Sequence, residues 1–88
     1  MKYRKKPVVI DAVQLIDGCG NDMENLFGTC DVIRIAENGE MEIAIDTLEG
    51  VMIARQLDYI IKGVQGEFYP VKNDIFELTY ELLEDNNG

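Results

Sequence analysis

The chain has 88 residues, of which 47% are hydrophobic and 28% charged, and a formal net charge of −9. That length allows one domain on one modest core, and that hydrophobic share excludes global disorder. Lys2, Arg4, Lys5 and Lys6 cluster at the start, and from residue 7 onward four basic residues face seventeen acidic ones. Such a balance excludes direct binding to duplex DNA or to an anionic membrane.

The basic start followed by Pro7-Val8-Val9-Ile10 has the look of an export signal. Asp11 ends the apolar run, and Gln14 and Asp17 interrupt it again, so neither a signal peptide nor a transmembrane helix is expected. Pro7–Ile16 is rich in β-branched residues and is predicted to be a strand. Val8, Ile10, Ala12 and Ile16 share one face, and Val9, Asp11, Val13 and Leu15 share the other. Both faces are largely apolar, the pattern of a central strand.

Asp17–Asn21 reads as a loop. Asn21-Asp22-Met23-Glu24 matches a capping box. Met23, Leu26 and Phe27 form one apolar stripe, and Gly28 is a C-terminal stop, which predicts a helix of two turns. Asp31–Ala36 and Glu40–Ile45 flank Asn38-Gly39. A two-residue turn would pair Ile35 with Glu42. A three-residue loop, Glu37-Asn38-Gly39, pairs Ile35 with Met41, Ile33 with Ile43, and Arg34 with Glu42, so it sorts the faces and places Gly39 at a positive φ. Thr47-Leu48-Glu49-Gly50 is a turn and Val51–Arg55 a strand. Tyr59–Val64 and Glu67–Val71 form a second hairpin around Gln65-Gly66. Asn73 caps a single helical turn through Phe76, and Leu78–Leu83 returns as a closing strand. The expected domain spans residues 1–83, with an acidic tail at 84–88. Its class is α+β, mainly β: a small antiparallel curled sheet or barrel of about six strands with one short helix.

Cys19 and Cys30 are the only cysteines and there is no His. Two thiols without imidazole are too few for a structural zinc site, and both are expected to be free thiols in a reducing compartment. Ser is absent too, so nucleophile–His pairs cannot form. No P-loop or complete dinucleotide fingerprint is present. Glu40, Glu42 and Asp46 fall on one strand face and read as an ordinary solvated surface. No cofactor, metal or catalytic residue is expected. The richest stretch, Asp58–Phe76, gathers Tyr59, Lys62, Tyr69, Lys72 and Phe76. Aromatic faces and two cations could stack a base and hold a phosphate, although aromatics in a chain this small more often fill the core.

The opening Met-Lys-Tyr-Arg-Lys-Lys-Pro-Val-Val-Ile-Asp-Ala-Val-Gln resembles that of a family of small, uncharacterised phage and prophage proteins. Ile60-Ile61-Lys62-Gly63-Val64-Gln65-Gly66-Glu67-Phe68-Tyr69-Pro70, Asp74-Ile75-Phe76-Glu77 and Thr79-Tyr80-Glu81 are similar to that family's C-terminal motif. Thr47-Leu48-Glu49-Gly50 fits as well. The chain departs from the family at Leu15, where a Trp is usual. Gln56-Leu57 replaces a Pro-Gly-like turn, and Val71 and Asn73 occupy positions often Cys and Pro. The resemblance implies a viral accessory protein acting in a bacterial cytoplasm.

The function expected is non-enzymatic: an accessory protein that binds and neutralises a host component in counter-defence. One route sequesters an anionic nucleotide-like ligand with Tyr59, Lys62, Tyr69, Lys72 and Phe76, and a homodimer would pool two sets of lysines. A second lets the acidic surface occupy a basic site on a host nucleic-acid-binding protein. A third is a structural or assembly role. The partner is thus a host protein or a small anionic ligand, with no nucleic acid or membrane.

Overall fold

The protein is represented by a computed structural model that describes residues 1–3, 8–29 and 32–82. The elements run β1 (Asp11–Gln14), α1 (Gly20–Phe27), β2 (Arg34–Ile35), β3 (Met41–Thr47), β4 (Gly50–Arg55), β5 (Tyr59–Lys62), β6 (Phe68–Val71) and α2 (Asn73–Thr79). They form two antiparallel three-stranded sheets, ordered β1-β5-β6 and β2-β3-β4.

The expected mainly-β architecture is present, but the sheets do not close into a barrel. Each sheet covers one face against the other instead. β6 packs on β3 and β4, and the core between the layers holds Leu15, Ile43, Ile45, Ala54 and Ile60. With one face of each sheet buried in this way, closure is not needed to remove apolar area from water. No described helix is long and apolar enough to cross a membrane.

α1 forms where its stripe predicts. Met23 and Leu26 are buried on the core, Phe27 stacks on Phe68 of β6 at 4.4 Å, and Gly28 ends the helix at φ 86°. The capping box is not made. Cys19 takes the N-cap position without a side-chain cap bond, because the N-cap falls two residues before Asn21 and the helix begins at Gly20. Cys19 is a buried free thiol. Cys30 lies outside the described residues.

The first hairpin has the three-residue loop. Arg34 pairs with Glu42 and Ile35 with Met41. The Ala36 N–H donates to the Glu40 carbonyl, and Gly39 sits at φ 86°. The β5–β6 hairpin repeats this geometry one sheet away: the Gly63 N–H donates to Glu67, and Gly66 closes the loop at φ 84°.

Two expectations are corrected. The strand expected over Pro7–Ile16 pairs only at Asp11–Gln14, and it lies at a sheet edge rather than at the centre. Pro7 itself lies outside the described residues. The helical turn expected over Asn73–Phe76 is present but runs on to Thr79 with Lys72 as its N-cap, and the closing strand expected from Leu78 is not formed among the described residues. The cause is the spacing of Phe76 and Tyr80, four residues apart. That spacing sets the Phe76 ring of the helix beside the ring of its C-cap, Tyr80, and the two stack at 5.0 Å. Leu78 and Leu82 point to solvent. Leu83 and the tail at 84–88 lie outside the described residues.

Candidate functional site

The turn that passes the chain from β4 to β5 fixes everything around the motif-rich segment. The Asp58 N–H donates to the Arg55 carbonyl at 2.9 Å, and Leu57 between them stands at φ 79°. The Asp58 carboxylate accepts the Arg55 N–H at 2.9 Å, and the Gln56 side chain accepts the Met41 N–H at 3.1 Å. β1 docks on the same turn. The Leu15 N–H donates to the Asp58 carbonyl, the Leu57 N–H donates to the Leu15 carbonyl, and the Gln14 side-chain amide donates to the Leu57 carbonyl. Asp58 is therefore an architectural residue, and this hub ties both sheets together.

From the turn, alternation along β5 and β6 sends side chains to two faces. Ile60, Lys62, Phe68 and Pro70 share the face that meets α1 and the second sheet. Tyr59, Ile61, Tyr69 and Val71 share the opposite face, on which Phe76 of α2 stacks. Tyr59 stacks on Phe76 with ring centroids 3.8 Å apart and an interplanar angle of 8°. Phe76 stacks in turn on Tyr80. The Tyr69 and Tyr80 hydroxyls share a hydrogen bond. Burial, and then that bond, hold the Tyr69 phenol above its ordinary value of 10.0, with the Tyr80 and Glu67 charges adding to the shift. Sequence reasoning left Tyr80 out of the aromatic set. Its i, i+4 spacing from Phe76 was the signal.

The five candidate ligand residues are thus divided. Tyr59, Tyr69 and Phe76 come together under α2. Lys62 lies on the other face, with its ammonium 5.9 Å from the Phe68 ring centroid. Lys72 is the exposed N-cap of α2, at the far end of the hairpin from Lys62. A base inserted between Tyr59 and Phe76 would need about twice their present separation. In this arrangement the rings hold α2 on the sheet.

Lys62 belongs instead to a cleft of about 730 Å³ that runs along β1. Asp11–Gln14 line it, with Asp22, Asn25 and Leu26 of α1, Lys62, and Leu82. β1 is the outer strand of its sheet, so the cleft exposes a strand edge. Sequence reasoning missed this feature, because a strand apolar on both faces reads as central.

Around these features the surface is acidic. Among the described residues, twelve of fourteen carboxylates are exposed and two, Glu42 and Asp58, are half-buried. Five basic residues are described. Arg34 is held by Glu42 at 2.8 Å, across the face that alternation predicted to carry Glu40, Glu42 and Asp46. No group of three or more His, Cys, Asp or Glu that could hold a metal ion occurs among the described residues.

Three comparisons with known proteins returned no matching family model, no matching curated protein and no matching solved structure.

Proposed function

We propose that this chain is a non-enzymatic accessory protein of the phage type that engages and neutralises a host component in the bacterial cytoplasm through its acidic surface. The observation that carries this reading is the exposure of twelve described carboxylates against five described cations. A surface of one sign steers basic partners toward itself and repels nucleic acid, so it suits the basic site of a nucleic-acid-binding protein. The phage context rests on the resemblance of the opening run and of the Asp58–Glu81 segment. The turn at residues 55–58 supports it, because Leu57 adopts the positive φ that a Pro-Gly-like turn demands.

The test is capture of a bacterial protein by the full chain, followed by competition with duplex DNA. The complex should weaken steeply between about 0.1 M and about 1 M salt, where the screening length falls from about 10 Å to about 3 Å. DNA should compete with the chain for the captured protein. A salt-insensitive complex, or a nucleotide that raises the melting temperature where no protein is captured, would overturn the reading.

A further inference from the structure

β1 carries two signatures that disagree until a neighbour is supplied. Its sequence is apolar on both faces, yet it is an edge strand with one partner, β5. The hydrogen bonds of Leu15 to the Leu57–Asp58 segment fix the direction of its backbone groups. Residues two apart in a strand aim the same way, so Val13 and Asp11 also point at β5. Ala12 and Gln14 then direct their N–H and C=O groups outward, into the cleft. Just before the paired residues, Val8 and Val9 are 48% and 74% exposed, and just after them Ile16 is 40% exposed. An unpaired edge flanked by exposed β-branched residues is a template for another strand.

We propose that this edge pairs with the same edge of a second copy, β1 antiparallel to β1, making one six-stranded sheet across a two-fold axis. The sequence selects the register. Outward-facing residues must meet outward-facing residues, so the axis passes through one residue of the strand or its mirror pair. An axis at Asp11 would set two aspartates opposite one another, which is destabilising. An axis at Ala12 sets Asp11 opposite Val13, Ile10 opposite Gln14, Val9 opposite Leu15 and Val8 opposite Ile16. That register covers Val8, Val9 and Ile16 together. The sequence before this run is basic, with Lys2, Arg4, Lys5 and Lys6, and the sequence after it carries the exposed Asp17 and Asp22, so two antiparallel copies oppose unlike charge at each end of the run. The charge asymmetry of the chain is thereby complementary to itself, and a closed two-fold pairing consumes both edges.

The experiment measures mass in solution by sedimentation, with two variants of the full chain. The wild-type chain, of 10.0 kDa, should sediment as a dimer at micromolar concentration. Ala12→Pro removes an outward N–H that the β1–β5 ladder does not use, so it should fold with wild-type circular dichroism and weaken dimerisation at least tenfold. Ala12→Cys, with Cys19 and Cys30 replaced by Ala, should oxidise to a covalent dimer. Residues directly opposite in a hydrogen-bonded pair have Cα atoms about 5.5 Å apart, within disulfide reach. Gln14→Cys in the same background should cross-link far more slowly. A wild-type chain that stays monomeric at about 100 µM, well above the micromolar range of ordinary specific association, would overturn the proposal. So would a dimer indifferent to Ala12→Pro, or equal cross-linking from residues 12 and 14.

Discussion

Two residues occupy positions whose backbone asks for a different side chain. Leu57 stands at φ 79° in an exposed turn, a conformation that costs an L-residue about 1 kcal/mol or more. Leu57→Gly should therefore raise stability by about 1 kcal/mol, read as a midpoint shift in urea at unchanged slope. Asn73 is the first residue of α2, a position where Pro is favoured. Lys72 before it is already extended at φ −63° and ψ 144°, as a residue preceding Pro must be. The Asn73 Oδ1 is also buried without a partner. Asn73→Pro should stabilise by about 0.5–1 kcal/mol, and a loss of stability would show that the Asn73 side chain is needed where it lies. Both positions were legible as departures from the resembling family, while the positive φ was not, because nothing in a Gln-Leu pair announces it. Tyr69 gives a pH signature. Its folded pKa lies above its unfolded value, so it contributes stability that is present below about pH 10 and lost as pH rises through the folded pKa. Tyr69→Phe should flatten the alkaline limb of stability against pH, and an unchanged limb would exclude this phenol as its source.

At the level of elements, the two hairpins share one loop geometry. Gly39 and Gly66 have φ of 86° and 84°, and an added Cβ at either meets nothing within 4 Å. Gly39→Ala and Gly66→Ala should each cost about 1 kcal/mol from backbone strain alone. The costs should match within a few tenths of a kcal/mol and add in the double variant, because the loops lie in different sheets. Thermal or urea unfolding of the three variants checks this. The register of the first hairpin was readable because apolar and charged residues alternate along both arms, so one slip would have inverted every side chain. The first turn of α2, Asn73–Phe76, was read as helical, but its continuation to Thr79 was misread, for the opposite reason. Leu78–Leu83 is a short apolar run without alternation, and such a run fits strand or helix equally until the rings that anchor it are known. No residue of α2 is buried, and its attachment is the column Tyr59–Phe76–Tyr80. Phe76→Ala should remove hydrogen-exchange protection at the Tyr80 N–H, which donates to the Phe76 carbonyl. The global midpoint should fall by only about 2 kcal/mol, less than the 3–5 of a fully buried Phe. A global loss in that higher range would make α2 part of the main cooperative unit.

For the molecule as a whole, class and core composition were readable and the closure was not. Leu15, Met23 and Ile43 are fully buried, and each was assigned to an apolar strand or helix face from its pattern. Strand patterns show which side of a strand is buried but not which strand lies beside it, so about six predicted strands suggested one curled sheet or barrel. The structure divides them at the 55–58 turn, whose side-chain bonds to β3 and β1 are long-range facts. The site was legible only as composition. Tyr59 and Phe76 do meet, and Tyr69 shares their face and reaches Tyr80 at the end of that column, while Lys62 turns to the opposite face. Net charge is also a property of this scale. At −9 the folded chain repels itself, so raising salt from about 0.1 M to about 0.5 M should raise the melting temperature by a few degrees. A fall would mean that attractive pairs such as Arg34–Glu42 outweigh the repulsion.

The pairing of β1 with β5 joins Val13 to Ile60, 47 positions further along the chain. On the ribosome, at about 5–20 residues per second, β1 therefore waits about 2–10 s for its partner to be made. Both hairpins can form from neighbouring residues as they emerge, but the Val8–Ile16 run cannot. During that wait it is a bare, β-branched, aggregation-prone segment. The lysines and arginine placed immediately before it outnumber Asp11, the one charge within the run. Like charge on every nascent copy keeps such runs apart on a polysome. A basic flank beside a β-rich run, in an otherwise acidic sequence, is the gatekeeper pattern that holds such segments apart before they find their partners.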